Sequence, residues 1–255
     1  MTATLRAAAG IAALLLAALL AGCVNQQEVR QRNDAAIYNT ELGIAYMRRG
    51  DLAVAQTKLD RALKENPDDP DVHSARALLF ARLQQPEQAD NEFREALHLA
   101  PKNPDFQNNY AVYLCSVGRP DEGVQTFLEA AHNPEYLTPE LAYVNAGICL
   151  RSSHHNVEAF QMFVDALTIR PNFSQALWQL ADLNLSEGKL ADARQAIESF
   201  LASNPATPDL LLLAVKVTRA QHDALDAALY ARKLQLDFPD SAEARQLADL
   251  GHNPG

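Results

Sequence analysis

The chain contains three cysteines, and the thiol is the most reactive side-chain group in this sequence. They are Cys23, Cys115 and Cys149. A cysteine thiol can accept a lipid, form a disulfide, bind a metal or act as a nucleophile. No Cys-x-x-Cys pair occurs, so the sequence does not predict a redox-active dithiol site.

His154, His155 and Glu158 form a cluster of possible metal ligands. Their spacing supplies no third or fourth ligand of the kind that a zinc site needs, and a polar turn between two helices explains the same residues. A Gly-rich phosphate loop, a nucleophile elbow and a His-Glu-x-x-His motif are all missing. We therefore expect no catalytic residue, no metal, no cofactor and no small-molecule substrate.

The first 22 residues have the order of an export signal. Arg6 precedes an uncharged stretch of Ala and Leu over residues 7–22, which is shorter than the roughly 20 apolar residues of a spanning helix. The stretch ends in Leu20-Ala21-Gly22-Cys23, which resembles a bacterial lipobox. The alternative is a buried cysteine behind an ordinary signal peptide.

The lipobox implies that residues 1–22 are removed and that Cys23 becomes the acylated N-terminus. Residues 23–35 are then expected to form a flexible tether, and the acyl chains to hold the protein on a membrane. Val24 rather than Asp follows the cysteine, which in such lipoproteins favours sorting to the outer membrane. The expected location is the periplasmic face of that membrane.

Composition favours a folded helical protein and excludes one large class of partner. Hydrophobic residues make up 48% of the 255 residues, and 32 acidic residues outnumber 22 Lys and Arg to give a formal charge of −10. This apolar content is sufficient for a packed core. Because so acidic a chain does not neutralise a phosphate backbone, nucleic acid is not expected as a partner.

A period of about 34 residues runs through most of the chain. Prolines recur at Pro67, Pro101, Pro134, Pro171, Pro205 and Pro239, with spacings of 34, 33, 37, 34 and 34. Such a period is typical of helical solenoids. Small residues in each first helix, among them Gly43 and Gly147, are expected to face large residues of the second helix such as Phe93, Phe127 and Phe163.

The repeated residues resemble the tetratricopeptide repeat over about residues 36–239. The expected fold is all-α, a right-handed superhelical solenoid of six such repeats. Residues 240–255 are predicted to form a capping helix and tail, with Asp240 or Ser241 as N-cap. Two departures stand out: the third and fourth repeats are separated by about three extra residues, and Thr218 and Ala231 occupy positions of large apolar residues in the sixth repeat.

Cys115 and Cys149 fall in the first helices of adjacent repeats. These helices touch in such arrays, and an exported chain reaches an oxidising compartment, so a structural disulfide is possible if the Cα atoms come within about 7 Å. Two buried free thiols are the other possibility, because the extra residues between the repeats shift their register.

The first helices of tetratricopeptide arrays line a concave binding face. In the first repeat the residues expected there, and predicted to bind a partner, are Ile37, Thr40, Ile44, Met47 and Arg48. An exposed apolar strip of this kind often binds another protein. The alternative is that Ile37 and Ile44 pack on the tether or inside their own repeat. Arrays that clamp a peptide carboxylate carry Lys and Asn where Thr40 and Ile44 stand, which disfavours that mode.

The lipobox, the tether and the six repeats together resemble the type IV pilus biogenesis and stability lipoproteins, the secretin pilotins of the PilF/PilW type. The segments that carry the likeness are Glu41–Tyr46, Asn108–Ala111 and the positions of Cys115 and Cys149. The resemblance implies an adaptor that binds the type IV pilus secretin, brings it to the outer membrane and promotes its multimerisation for pilus assembly and twitching motility.

The sequence leaves two alternatives open. A tetratricopeptide lipoprotein of the outer-membrane barrel-assembly machinery would share the fold and the anchor. A cell-wall hydrolase or its accessory belongs to another class, and it is disfavoured because paired carboxylates and zinc ligands are not evident in the sequence.

Overall fold

The computed structural model describes residues 27–252, with side chains through residue 249. Within that range the chain forms thirteen α-helices and no β-strand. The first helix, α1, is described over residues 27–49. The others are α2 (Leu52–Glu65), α3 (Pro70–Arg82), α4 (Pro86–Leu99), α5 (Pro104–Ser116), α6 (Pro120–Ala131), α7 (Pro139–Ser152), α8 (Asn156–Ile169), α9 (Ser174–Ser186), α10 (Leu190–Leu201), α11 (Pro208–Ala220), α12 (Ala224–Asp237) and α13 (Ala242–His252).

Twelve of the helices described between residues 27 and 252 form six consecutive pairs, from α1 and α2 to α11 and α12. The odd-numbered helix of each pair corresponds to the first helix of a predicted repeat, and α13 follows as the predicted final helix. The chain divides into two compact units between Asn109 and Tyr110, within α5. The all-α repeat architecture is therefore confirmed.

Each turn inside a pair contains one residue with a left-handed backbone. These residues are Gly50, Gln84, Gly118, His154, Gly188 and His222, with φ between 58° and 85°. Their spacings are 34, 34, 36, 34 and 34, so the insertion between the third and fourth pairs is two residues rather than about three. The proline spacing overstates the insertion by one residue. Pro134 lies one residue earlier, relative to the turn residue, than the other five prolines do, and it belongs to the long loop 132–138 that joins α6 to α7.

The predicted pairing of small with large residues is confirmed inside the helix pairs. A Cβ added to Gly43 would lie 2.6 Å from Leu59 Cγ, and one added to Gly147 would lie 2.4 Å from Phe163 Cε1. Leu59, Phe93, Phe127 and Phe163 are all fully buried. The glycines permit a close approach of the two helices because a side chain there would occupy the volume of its neighbour.

The sixth pair places its large residue on the other helix. Val215 of α11 stands where the earlier pairs carry Gly or Ala, and it is fully buried in a cluster against which Ala231 of α12 packs. Thr218 is also buried, and its hydroxyl donates to the Ala214 carbonyl oxygen over 2.7 Å. Ala231 is thus accommodated by a local exchange of sizes, and Thr218 by a hydrogen bond within its own helix.

The ends of the described region differ in how well they were predicted. Residues 27–35 are helical and continue into α1, so a flexible tether over 23–35 is wrong for these residues. Gln, Arg, Glu and Ala are good helix formers, and the helix that begins the repeat extends through them. At the other end Ser241 caps α13, because its Oγ accepts from the Ala244 N–H over 3.0 Å.

Candidate interaction surface

The five residues predicted to bind a partner do not share one exposed face of α1. Thr40 and Met47 are buried, at 6% and 4% exposure, whereas Ile37 is 52% exposed. Ile44 is half-buried and Arg48 is exposed. The prediction is therefore corrected at two positions, Thr40 and Met47, because a partner cannot reach these side chains.

The buried face of α1 is set by its contact with α2. Gly43 lies against Leu59, and Met47 packs in the same cluster as Leu59 and Leu79. Positions three and four residues away on a helix share a face, so Thr40 turns inward with Gly43, and its hydroxyl donates to the Ala36 carbonyl oxygen over 2.9 Å. The glycine was the signal in the sequence that could have located this face.

The opposite face of α1 exposes an apolar patch, of which the sequence predicts only a part. Tyr38 is 62% exposed beside Ile37. Arg48 extends the same exposed surface toward the end of the helix. Exposed apolar groups next to polar ones are typical of protein-binding surfaces, so we define the α1 patch as Ile37, Tyr38 and Arg48.

A polar cluster joins α2, α3 and α4. His73 contacts Glu92 Oε2 through Nδ1 at 2.7 Å and the Pro67 carbonyl oxygen through Nε2 at 2.8 Å. The guanidinium of Arg76 binds Glu92 and also Asp60. Because a carboxylate and a carbonyl both accept, this arrangement favours the protonated imidazole, and the hydrogen bond to Glu92 raises the pKa of His73.

The same cluster affects the carboxylate of Glu92. Burial by itself raises the pKa of this group, but the hydrogen bonds from His73 and Arg76 outweigh burial, and the pKa is lowered.

A contact to α1 comes from Arg82 of α3, whose Nη1 donates to the Met47 carbonyl oxygen over 2.6 Å. The helix that carries the α1 patch is therefore held by both packing and polar contacts.

Cys115 of α5 and Cys149 of α7 are joined in a disulfide, with their Cα atoms 5.7 Å apart. Cys149 does not repeat the position of Cys115, because it lies five residues before the left-handed turn residue and Cys115 lies three before it. The two-residue insertion compensates for this offset in sequence. The bond ties the first helices of the third and fourth pairs together.

His154 and His155 belong to the turn that joins α7 to α8. His154 is the left-handed residue of the turn between α7 and α8, and His155 is the N-cap of α8. Among the described residues, no group of three or more His, Cys, Asp and Glu side chains is arranged to hold a metal ion. Cys23 and the predicted signal peptide lie outside the described residues, and no helix of residues 27–252 is long and apolar enough to span a bilayer.

The helix pairs repeat every 34 residues, with one interval of 36, and place small residues of one helix against large residues of the other. These features define a tetratricopeptide repeat protein. The tetratricopeptide repeat family matches residues 40–89 and 74–137. The type IV pilus assembly protein PilF of Pseudomonas aeruginosa is 29% identical over 238 residues, which cover 91% of this chain and 94% of that protein.

Two solved structures extend this similarity. The structure of Pseudomonas aeruginosa PilF has a TM-score of 0.66 at 28% identity, over 86% of this chain and 99% of that one. The crystal structure of PilW, a widely conserved type IV pilus biogenesis factor, has a TM-score of 0.68 at 30% identity. The match covers 85% of this chain and 99% of the PilW chain. The chain belongs to the PilF/PilW family of tetratricopeptide repeat proteins.

Proposed function

We propose that this chain is a secretin pilotin of type IV pilus biogenesis, an outer-membrane lipoprotein that binds the secretin subunit and promotes its localisation and multimerisation. The observation that carries the proposal is the similarity to PilF over 94% of that protein and to PilW over 99% of its solved chain. Because the match covers nearly the whole of each relative, it supports a shared role in pilus assembly and twitching motility.

The sequence supports an anchor on the periplasmic face of the outer membrane. Cys23 would carry the acyl chains, and only residues 24–26 separate it from the first described helical residue. A connection this short would hold α1 close to the bilayer and raise the effective concentration of a membrane-bound partner. Cys23→Ser is expected to leave the helix pairs folded and to stop delivery of the secretin.

The α1 patch is the surface we propose for the secretin. It offers an aliphatic and an aromatic side chain, Ile37 and Tyr38, which are suited to anchor a partner segment. The double variant Ile37→Gln and Tyr38→Gln should weaken secretin binding about tenfold or more, since such anchors dominate protein interfaces. Val54→Gln, at an exposed position of α2, is the matched control and should bind as the unchanged chain does.

The experiment that tests the function measures detergent-resistant secretin multimer in outer-membrane fractions, with and without this protein. An unrelated outer-membrane barrel protein is followed in the same fractions. Loss of the secretin ring alone supports the pilotin proposal. Loss of both proteins would replace it with a role in barrel assembly, and an unchanged secretin ring would contradict it.

A further inference from the structure

A shallow groove with a volume of about 500 Å³ runs along α6 in the third helix pair, remote in sequence from the α1 patch. Its floor is apolar and consists of Val124 and Leu128 of α6 with Leu150 of α7. All three side chains are half-buried. A volume of this size is within the range of sites that accept a ligand or the side chains of a peptide.

The rim of the groove is acidic. Asp121 and Glu129 lie on the same face of α6 as the apolar floor, together with His132 at the end of the helix. Both carboxylates are exposed, and neither forms an ion pair with a described residue. Gln125 donates to Glu129 over 3.1 Å, which leaves the charge of the carboxylate uncompensated. The groove therefore combines an apolar floor with unneutralised negative charge.

The equivalent face of the second pair shows that this combination is not a general property of the fold. Thirty-four residues earlier, α4 carries Asp90 and Arg94 where α6 carries Val124 and Leu128. Arg94 Nε lies 2.7 Å from Asp90 Oδ2, so those positions are occupied by an ion pair on the helix surface. Glu87 and Glu95 of α4 match Asp121 and Glu129, so α4 shares the acidic rim of α6 but lacks its apolar floor.

The floor of the groove rests on a rigid support. Val124 packs against the cluster that contains Phe127, Tyr136 and Cys149, and Cys149 is bonded to Cys115. Leu150 is the next residue of α7. The disulfide thus fixes α7 to the third pair one residue from Leu150. A site that is held in place before binding loses less entropy when it is occupied.

We propose that this groove binds a segment of a partner protein in which a large apolar side chain is flanked by lysine or arginine. The apolar side chain would contact Val124, Leu128 and Leu150, and the flanking cations would pair with Asp121 and Glu129. From Asp121 to His132 the groove is about 16 Å long by the rise of a helix, enough for a short segment. This groove shares no residue with the α1 patch, and the inference does not depend on the function proposed for that patch.

The experiment measures binding of labelled peptides by fluorescence anisotropy to the full chain in nanodiscs of phosphatidylcholine, with empty nanodiscs as blank. The probe is a short peptide with a Leu-Phe-Leu core between Lys-Arg pairs. One comparison peptide replaces the basic pairs with Glu-Asp pairs, and another replaces the core with Ser-Gly-Ser. The proposal requires that only the first peptide binds well.

Charge-reversal variants test whether the peptide binds this groove or responds only to the net negative charge of the chain. Asp121→Lys with Glu129→Lys should weaken binding of the basic peptide about tenfold or more, as expected when charged contacts at an interface are reversed. Glu87→Lys with Glu95→Lys makes the same change of net charge on α4 and should have little effect. Leu128→Gln should also weaken binding, and circular dichroism would verify that each variant is folded.

Three outcomes would overturn the proposal. Equal weakening by the α4 and α6 double variants would mean that the peptide responds only to net charge. Equal binding of the Glu-Asp peptide would mean that the acidic rim selects nothing. A dimer of the unchanged chain that Leu128→Gln converts to a monomer would mean that a second copy occupies the groove.

Discussion

In the fourth helix pair Gly147 of α7 lies against the ring of Phe163 on α8, whereas the equivalent positions of the sixth pair hold Val215 on α11 and Ala231 on α12. Each contact joins one small and one larger residue, but the larger residue has moved to the other helix. Because packed interiors have nearly constant density, the summed volume at the contact matters more than which helix supplies it. The repeat thus preserves complementarity of size, and the residue at each position can change.

The two pairs also differ in what holds them to their surroundings. The fourth pair is bonded to α5 through Cys149. The sixth pair is covered by α13, whose Ala244 and Leu247 pack in one cluster with Val215 and Leu234. The helix α13 thus buries apolar surface of the sixth pair, as a capping helix does in a repeat array.

The largest effect is expected from removing the large residue of the fourth pair. Phe163→Ala should lower the free energy of unfolding by about 3–5 kcal/mol, since it removes a fully buried ring and leaves a cavity. Val215→Ala in the sixth pair should cost less, because valine is smaller and Ala231 already leaves the facing helix small. Urea denaturation measures both values, and an equal cost for the two variants would contradict the comparison.

Loss of the disulfide should have the next largest effect. Replacing Cys115 and Cys149 with alanine opens a covalent loop of 34 residues, and the unfolded chain then gains entropy worth about 2–4 kcal/mol. The measurement is thermal unfolding of the oxidised chain and of the double variant. The reductant supplies the control, since it should destabilise the unchanged chain and leave the variant unaffected. Equal stability of the oxidised chain and the variant would contradict the assigned role of the bond.

The sequence was sufficient to predict the repeat, the large residues at Phe93, Phe127 and Phe163, and the close approach at Gly147, because each follows from a period and from the volume of a side chain. Val215 and Ala231 could not be predicted in this way. If each position of the repeat is expected to hold a residue of fixed size, Ala231 looks too small. The core requires only that the side-chain volumes of Val215 and Ala231 together fill the contact.

The α1 patch was predicted in part for a different reason. Ile37, Thr40, Ile44 and Met47 fall on an arc of the helix wide enough to include both the buried and the exposed edge. Only the contact between Gly43 and Leu59 shows where burial ends. The sequence of residues 27–35 shows no periodic apolar face, so nothing in it predicted that α1 begins before the first repeat.

The close approach of α7 and α8 gives a prediction of intermediate size. Gly147→Ala should destabilise the protein by about 1–3 kcal/mol, because the new methyl group would overlap the ring of Phe163. Helix propensity alone predicts the opposite sign, a gain of about 0.8–1 kcal/mol for alanine. Chemical denaturation decides between them.

A second variant identifies the cause of that loss. Phe163→Leu shortens the facing side chain, so Gly147→Ala should cost less in this background than in the unchanged chain. A stabilising effect of Gly147→Ala alone, or an identical cost in both backgrounds, would show that the approach to Phe163 is not what requires glycine.

The smallest effect is expected where the fourth and sixth pairs agree. Both place a histidine, His154 and His222, in the left-handed conformation of the turn, with φ of 64° and 59°. A side chain in this conformation costs about 1–2 kcal/mol, and the greater freedom of unfolded glycine offsets part of any gain. We therefore expect His154→Gly and His222→Gly each to stabilise the protein by about 0.5–1 kcal/mol.

Gly188, in the equivalent turn of the fifth pair, supplies the reciprocal control. Its φ is 73°, and an added Cβ would meet no atom within 4 Å, so Gly188→Ala tests backbone strain without steric overlap. This variant should lose about as much stability as the histidine variants gain. If His154→Gly instead destabilised the turn while His222→Gly stabilised it, the His154 side chain would have a role beyond the turn, and the equivalence of the fourth and sixth pairs would fail at that position.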